Sequence, residues 1–341
     1  MLNIGIIGAG RIGKVHTESI TRFVKNAQVV AIADPFLSDT TIKWAKEMGI
    51  NTTYKDYKKI LEDSNIDAVL ICSSTDTHAK ISLEAIACGK NVFCEKPIDH
   101  NINRILEVKK ALENSNVKYQ VGFNRRYDHN FKAVKNAIES GKVGDLEILK
   151  VCSRDPEAPP IEYVKVSGGM FLDMTIHDFD MVRFLSNSEV EEVFAYGAVL
   201  VDEKIGEAGD IDTAIITMKL ENKCLAVIDN CRKSCYGYDQ RVEVFGSKGQ
   251  VAISNDTQSN AVVSNEDGVS AEKPLLFFLE RYMQAYVNEI NKFVECVRNN
   301  TKPTVGVEDG LQSVLIGLAA QQSIESGKPV NVKEFAKKFN I

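Results

Sequence analysis

The chain has 341 residues, of which 44% are hydrophobic and 26% are charged, and its formal net charge at pH 7 is −6. This length predicts about two domains, and the mild acidity without a basic stripe argues against a nucleic-acid or anionic-membrane partner. No apolar run approaches the roughly 20 residues of a membrane-spanning helix, and the amino terminus begins on a predicted strand without a signal-peptide pattern. The eight cysteines form no C-x-x-C pair, which favours reduced thiols in a cytoplasmic protein.

The first predicted strand, residues 4–7, runs into the turn Gly8-Ala9-Gly10-Arg11-Ile12-Gly13 and then into an amphipathic helix. In this context a G-x-G-x-x-G turn lets the backbone approach a pyrophosphate, and the helix N-terminus supplies amide donors. We therefore expect the turn to bind a dinucleotide through five residues: Gly8, Gly10, Arg11, Ile12 and Gly13.

Asp34 ends the second predicted strand, residues 29–33. It follows the glycine turn by about 20 residues, where a carboxylate would bind the adenosine ribose hydroxyls; the alternative is an ordinary loop aspartate. The next residues, Pro35 and Phe36, bring no positive charge, so a 2′-phosphate would meet uncompensated repulsion. NAD is therefore favoured over NADP.

Strands and helices continue to alternate, and six strands with crossover helices predict a doubly wound parallel sheet in an NAD-binding Rossmann domain over residues 1–123. A small polar loop, residues 73–78, follows the strand 66–72. Hydroxyl groups at the carboxyl end of a strand suit a dinucleotide contact, although loops are polar in any case. The residues expected to bind NAD here are Ser73, Ser74, Thr75 and His78.

Cys94-Glu95-Lys96-Pro97 closes a short apolar run. A lysine is unusual at the end of a buried strand, but at the carboxyl edge of an open α/β sheet it would point into the crevice where ligands bind. The proline fixes φ, and its peptide bond is of the kind that can be cis. The alternative is a surface Lys-Pro turn. We expect Glu95 and Lys96 to contribute to the cofactor site.

Residues 124–341 are expected to form an α+β domain with a mostly antiparallel sheet, one face of which packs on helices while the other is covered elsewhere. In residues 213–220 every second side chain is apolar, as in a half-buried strand. The helical stripe from Leu279 to Val297 predicts burial either within the chain or at an interface, and the final helices are expected to pack on the first domain or remain with the second.

Asp173 and His177 lie four residues apart in a predicted helix and would share one face. A histidine near neutral pH is the usual general base for a hydroxyl proton, and a carboxylate beside it would orient the ring. The alternatives are a helix N-terminal acid with an ordinary histidine, or a metal site that includes Asp180. The metal site is disfavoured because no cysteine or second histidine stands at ligand spacing.

These residues together predict oxidation of an alcohol by hydride transfer to NAD. Lys96 would stabilise alkoxide character on the substrate oxygen while His177 takes the proton. Because Lys96 closes the first domain and the Asp173/His177 pair opens the second, the reacting carbon is expected in a cleft between them.

Three segments resemble the Gfo/Idh/MocA oxidoreductases: the glycine turn, Glu95-Lys96-Pro97, and Gly168-Gly169 followed by Asp173 and His177. The resemblance spans nearly the whole chain. It implies an amino-terminal Rossmann domain and a carboxy-terminal α/β domain whose open sheet commonly mediates dimers or tetramers.

Within the family, the segments 122–128 and 236–239 resemble the inositol 2-dehydrogenase branch. This resemblance implies oxidation of the axial hydroxyl of myo-inositol to scyllo-inosose with NAD, by a homotetramer. It also implies the catalytic residues Lys96, Asp173 and His177. The substrate contacts that it implies are Asn124, Arg125, Asp155 and Tyr236.

Asn124 departs from several members of that branch, which have methionine at this position. An asparagine can bond a hydroxyl group where methionine cannot, so the preferred substrate can differ. The same chemistry on another polyol or sugar, such as scyllo-inositol or glucose, therefore stays open. A non-catalytic NAD-sensing protein is a further alternative, disfavoured because a sensor needs no lysine, aspartate and histidine together.

Overall fold

A computed structural model describes all 341 residues. The chain divides into two compact units: residues 1–127 with 283–314 form the first, and residues 128–282 with 315–341 form the second. None of the helices combines the length and the apolar character that crossing a membrane requires.

Strands and helices alternate up to residue 121, and strands dominate much of the chain after that. The strands are β1 Leu2–Ile7, β2 Ala27–Ala33, β3 Thr53–Tyr54, β4 Ala68–Ile71, β5 Asn91–Cys94, β6 Tyr119–Val121, β7 Leu146–Arg154, β8 Val190–Ala198, β9 Thr213–Leu220, β10 Leu225–Cys231, β11 Asp239–Gly246, β12 Gly249–Ile253, β13 Val262–Asn265, β14 Gly268–Ala271 and β15 Val330–Asn331. The α-helices are α1 Arg11–Phe23, α2 Asp39–Glu47, α3 Lys58–Glu62, α4 Thr75–Ala87, α5 Ile102–Glu113, α6 His129–Glu139, α7 Ile161–Val164, α8 Gly169–Asp173, α9 Ile176–Ser186, α10 Glu203–Glu207, α11 Phe278–Arg298, α12 Val307–Ser326 and α13 Val332–Ala336. Two 3-10 turns cover Asn124–Tyr127 and Lys337–Phe339.

The first unit contains a six-stranded sheet in the order β3-β2-β1-β4-β5-β6, and every pairing in it is parallel. This order confirms the doubly wound Rossmann sheet that the sequence predicts. All four residues of β4 are buried, as expected for a strand in a parallel sheet with both faces covered. The carboxyl ends of β1, β4, β5 and β6 lie along one edge of the sheet.

Helix α11 contributes its apolar stripe to the core of the first unit. Ile290 and Phe293 are fully buried and cluster with Ile4 and Leu70 of the sheet. The rings of Phe293 and Phe93 meet edge to face, with centroids 5.9 Å apart. Of the two alternatives for this stripe, burial within the chain or at an interface, the structure therefore shows burial within the chain.

The second unit is built on a seven-stranded sheet in the order β12-β11-β7-β10-β9-β8-β15. Its pairings are antiparallel except for the parallel pair of β7 and β10, which fits the mostly antiparallel sheet that the sequence predicts. On β9 the predicted alternation is present, because Ala214, Ile216, Met218 and Leu220 are all at most 3% exposed. This alternation buries one face of the sheet.

The opposite face of this sheet, here called the open face, carries five apolar side chains that are 40% to 69% exposed. The strand registers place all five on the same face. They are Ile148, Tyr196, Ile215, Leu225 and Phe245. Ile148, Leu225 and Phe245 are cross-strand neighbours, and Tyr196 and Ile215 form a second neighbouring pair. Isolated exposed apolar residues are ordinary, whereas clustered ones mark an interaction surface.

Candidate active site

The turn between β1 and α1 contains two positions, Gly8 and Gly13, at which a side chain would clash with the protein's own backbone. Gly8 has a φ of +101°, and a Cβ there would lie 2.6 Å from backbone atoms of Cys72 and Ser73. A Cβ on Gly13 would lie 2.0 Å from the carbonyl oxygen of Gly8. A Cβ on Gly10 would meet nothing within 4 Å, so this glycine leaves open space at the start of α1.

Helix α1 begins at Arg11 with no side-chain cap and no acidic residue in its first turn. An anionic group is stabilised at such an end by the amide donors and by the helix dipole. The uncapped helix and the open space at Gly10 therefore fit the pyrophosphate of a dinucleotide.

Asp34 ties the glycine turn to the end of β2. Its carboxylate accepts hydrogen bonds from the N–H of Ala9 at 2.7 Å and from the N–H of Phe36 at 2.8 Å, one on each oxygen. Each carboxylate oxygen has two acceptor positions, so both retain one for a ribose hydroxyl. The neighbouring Pro35 and Phe36 are exposed and uncharged, which favours a ribose diol over a 2′-phosphate.

The polar segment after β4 is more helical than the sequence predicted. Helix α4 begins at Thr75, so Thr75 and His78 lie in the helix and not in a loop. Ser73 precedes the helix and is half-buried, with its hydroxyl 2.6 Å from that of Thr77. Ser74 is exposed at the start of the helix. These hydroxyl groups follow β4, which pairs directly with β1 and its glycine turn.

His78 was expected to bind the cofactor, but its side chain is 2% exposed. Its Nδ1 lies 2.8 Å from the carbonyl oxygen of Pro97, and its Nε2 lies 3.0 Å from that of Ser73. Burial opposes a charge here, but the Cys94 sulfur and the two carbonyls outweigh it and raise the pKa of His78 to about 9. Because carbonyl groups only accept, both ring nitrogens are occupied as donors, and the ring has none left for a dinucleotide.

Lys96 is half-buried directly beyond β5, and its peptide bond to the following proline is cis. The preceding Glu95 is 8% exposed, with its carboxylate 2.6 Å from Nε2 of His16 on α1. Asn124 and Arg125, each 3% exposed, form the start of the 3-10 turn beyond β6. Since β5 and β6 are parallel neighbours, the lysine and these two residues follow adjacent strand ends.

In the second unit, Asp173 and His177 do not share one continuous helix, contrary to the prediction. Asp173 ends α8, and His177 lies in the first turn of α9. Between them the N–H groups of Met174 and Thr175 both bond to the carbonyl oxygen of Met170, which interrupts the helical pattern. Both predicted catalytic side chains are half-buried.

Asp173 is held by two partners that the sequence analysis missed. The guanidinium of Arg232, 1% exposed, donates to one carboxylate oxygen at 2.9 Å, and the hydroxyl of Tyr163 donates to the other at 2.8 Å. A second nitrogen of Arg232 lies 3.5 Å from the carboxylate of Asp210. Burial lowers the pKa of Arg232, but the nearby carboxylates, including Asp155, more than compensate and the pKa is raised. Arg232 therefore interacts with two of the predicted site residues: it donates a hydrogen bond to Asp173, and the charge of Asp155 stabilises its guanidinium.

A buried polar network fixes the start of α9, which carries His177. Asp178 accepts hydrogen bonds from the Ser153 hydroxyl at 2.6 Å and from the side-chain amide of Asn230 at 2.9 Å. The Thr175 hydroxyl donates to the Asn230 oxygen at 2.5 Å. These bonds join the helix to β7 and β10, so the position of His177 is set by the sheet.

The hydroxyl group of Tyr236 has two hydrogen-bond partners, Asp239 and Arg154. Its hydroxyl donates to Asp239 at 2.6 Å and accepts from Arg154 at 3.0 Å. Burial and the bond to Asp239 raise the pKa of Tyr236. The hydroxyl keeps one acceptor position for a further donor.

Comparison with known proteins identifies a family and several relatives. Residues 2–123 match the model of the Gfo/Idh/MocA oxidoreductase family for its NAD-binding Rossmann fold, and residues 135–332 match that for its C-terminal alpha/beta domain. The chain is 44% identical to the myo-inositol 2-dehydrogenase of Thermotoga maritima over 98% of this chain and 99% of that protein. A solved probable dehydrogenase from Thermotoga maritima has a TM-score of 0.96 at 44% identity, covering 98% of this chain and 100% of that one. A scyllo-inositol dehydrogenase from Lactobacillus casei, solved with NAD(H) and scyllo-inositol, has a TM-score of 0.90 at 32% identity, covering 98% and 99%.

The ion pair of Arg232 with Asp173 is expected to stabilise the folded state. Replacing Arg232 with methionine removes a buried cation from the half-buried carboxylates of Asp173 and Asp210, and we expect a loss of about 3–5 kcal/mol in the free energy of unfolding. The control is Lys59→Met, which breaks the exposed pair with Glu62 and should cost at most about 1 kcal/mol. Denaturant titration of both variants measures the difference. Equal losses would contradict the role given to Arg232.

Proposed function

Because the chain belongs to the Gfo/Idh/MocA oxidoreductase family, we propose that it oxidises myo-inositol to scyllo-inosose by hydride transfer to NAD. The observation that carries the proposal is the half-buried Lys96 at the carboxyl edge of a parallel sheet whose glycine turn fits a dinucleotide. A relative that is 44% identical over nearly its full length is a myo-inositol 2-dehydrogenase, which supports the substrate.

Lys96 is assigned to the substrate hydroxyl. As hydride leaves the carbon, negative charge develops on the attached oxygen, and an ammonium group within hydrogen-bond reach stabilises that charge. The contact of Glu95 with His16, and that of His78 with the carbonyl group of Pro97, hold the segment around the lysine in place before substrate arrives. Such preorganisation is what makes a single cation effective.

His177 is assigned as the general base that receives the hydroxyl proton on a ring nitrogen. Asp173 orients the imidazole in this proposal, and its own carboxylate is fixed by Arg232 and Tyr163. When bound, NAD supplies the nicotinamide that accepts the hydride.

We assign NAD binding to the glycine turn, to Asp34 and to the strand ends that follow. Asp34 binds the ribose, and the amides at the start of α1 bind the pyrophosphate. The full set is Gly8, Gly10, Arg11, Ile12, Gly13, Asp34, Ser73, Ser74, Thr75, Glu95 and Lys96. His78 is assigned instead to holding the peptide after Lys96, because both of its ring nitrogens bond to backbone carbonyls.

Asn124, Arg125 and Asp155 are assigned to the substrate hydroxyl groups, since an amide, a guanidinium and a carboxylate together supply donors and acceptors for a polyol. Tyr236 can add one accepted hydrogen bond. The amide of Asn124 also favours a second candidate, oxidation of scyllo-inositol, which the Lactobacillus casei relative binds.

The first prediction here concerns the substrate. With NAD, the purified protein should oxidise myo-inositol with a kcat/KM at least about tenfold above scyllo-inositol, D-chiro-inositol, glucose and xylose, because buried polar groups left unpaired by the wrong stereoisomer penalise it. NADH formation across this panel, with NAD and NADP in parallel, measures the preference. Activity only on another polyol would overturn the myo-inositol assignment, and silence on all of them with NAD bound would favour a non-catalytic sensor.

The second prediction concerns Lys96. Replacing it with methionine should lower kcat by about 10²–10³-fold, the usual effect of removing one donor to a developing oxyanion. NAD affinity, measured by fluorescence titration, should change little. Lys80→Met, on the exposed side of α4, serves as the control and should behave as the wild type. A Lys96→Met variant that retained its turnover would refute this assignment.

We further propose a homo-oligomer, a dimer or homotetramer, that forms through the open face. The proposal is supported by the five exposed apolar side chains of this face, beside which lies the ion pair of Lys150 with Glu243. Ile215→Glu should reduce the mass measured by light scattering, whereas Val263→Glu on the exposed β13 should not. A monomeric wild type would contradict the proposal. The eight free cysteines and the use of NAD support a cytoplasmic location.

A further inference from the structure

Three titratable side chains meet in the interior of the first unit, beneath the segment that carries Lys96. His16 comes from α1, Glu95 follows β5 and Glu289 lies on α11. Their side-chain nitrogen and oxygen atoms lie within 4.8 Å of one another. The exposed fractions are 0% for His16, 8% for Glu95 and 0% for Glu289.

The surroundings of this triad are apolar and aromatic. The His16 ring packs edge to face against Phe93 and Tyr286, with centroid distances of 5.1 Å and 5.6 Å. The titratable groups near Glu289 are His16 from α1, Glu95 after β5 and the buried thiol of Cys72 after β4. Tyr286, on the same helix as Glu289, contacts the His16 ring. Burial first, and Glu95 and Glu289 among other neighbours, raise the pKa of Cys72 well above its ordinary value, so the thiol brings no charge.

Two carboxylates this close cannot both be ionised in a dry environment at acceptable cost. Glu95 has the contact with His16 to stabilise its charge, at 2.6 Å. Neither oxygen of Glu289 has a hydrogen-bond partner. Burial and the charge of Glu95 raise the pKa of Glu289 well above its ordinary value. Glu289 is therefore the member of the triad that holds a proton.

A histidine with two carboxylates also has the composition of a divalent-cation site, but the geometry favours a proton. Two separate ligands held at about 2.1 Å from one ion lie about 3 Å apart when they subtend a right angle. The atoms of His16 and Glu95 are only 2.6 Å apart, which is the distance of a strong charge-assisted hydrogen bond. His16 and Glu95 are therefore joined by a hydrogen bond and do not flank an ion.

We propose that Glu289 is a positioning residue for Lys96: as a neutral acid it completes the buried triad and leaves Glu95 as its single anion. Glu95 stays bonded to His16, and the backbone that continues into Lys96 is held still. The space is closely defined, since a Cβ on Gly122 would lie 3.0 Å from the Glu95 carboxylate. An ionised Glu289 would repel Glu95 from this position. The inference rests on the proposed role of Lys96 in hydride transfer.

The test compares Glu289→Gln, which keeps a neutral side chain of the same shape, with Glu289→Leu, which removes the polar group. Glu295→Gln is the control, because Glu295 lies exposed on the same helix. The infrared absorption spectrum of each variant is recorded at neutral pH. The carbonyl stretch of a buried protonated carboxylic acid should be present in the wild type and in Glu295→Gln. The same band should be missing from Glu289→Gln.

Thermal unfolding across pH gives a second readout that needs no activity. A carboxyl group whose pKa is raised in the folded state makes stability fall as pH rises above its ordinary value of 4.5, because the unfolded chain then binds fewer protons. Glu289→Gln lacks this loss, so its melting temperature relative to the wild type should increase from pH 4.5 towards neutral pH. A decrease would mean that Glu289 is ionised and would overturn the proposal, as would a stoichiometric divalent ion in metal analysis of the wild type.

The positioning role itself is read from kinetics. Glu289→Leu should lower kcat by about tenfold to a hundredfold, since a small displacement of a catalytic group has effects of this size, while the KM for NAD stays near that of the wild type. Glu289→Gln should recover most of that loss. Equal losses in both variants would overturn the role. If no polyol is oxidised while the infrared band and the pH trend are present, the proposed function fails and the protonation of Glu289 stands.

Discussion

Between β1 and α1 the backbone closes so tightly that a Cβ on Gly13 would lie 2.0 Å from the carbonyl oxygen of Gly8. This close approach fixes where α1 begins, and therefore where its uncapped amides point. It also sets the position of His16, which lies along the same helix and meets Glu95 beyond β5. The glycine turn and the segment that carries Lys96 are thus linked through the contact of His16 with Glu95.

In the second unit, charged side chains removed from water are stabilised by fixed hydrogen-bond partners. An isolated carboxylate or guanidinium away from water is costly, and breaking a buried pair is more costly than never forming it. Asp173 is fixed by Arg232 and Tyr163, and Asp178 by Ser153 and Asn230. Fixed dipoles and charges of this kind do not need to reorganise during a reaction, which suits general-base chemistry at His177.

The parts of the fold that depend on local physics were predictable from the sequence. The glycine turn lies between a strand and a helix, and the strand β9 alternates as expected. The NAD-binding Rossmann sheet follows from such signals because crossover rules leave few other topologies.

The parts that depend on contacts distant in sequence were not predictable. The helix expected through Asp173 and His177 is broken between them, at the point where Thr175 bonds to Asn230, 55 residues later in the chain. Arg232 reaches Asp173 from 59 residues away, and no local pattern marks it. His78 lies in a polar segment that is typical of a cofactor loop, yet both of its ring nitrogens bond to the carbonyl groups of Ser73 and Pro97.

The proposed function depends on hydride transfer to NAD from the carbon that bears the axial hydroxyl of myo-inositol. The most direct measurement uses myo-inositol with deuterium on that carbon and mass spectrometry of the reduced cofactor. We expect one deuterium in the nicotinamide ring of the NADH, and none when the label is on any other ring carbon. Unlabelled NADH from the first substrate, or labelled NADH from another position, would contradict it.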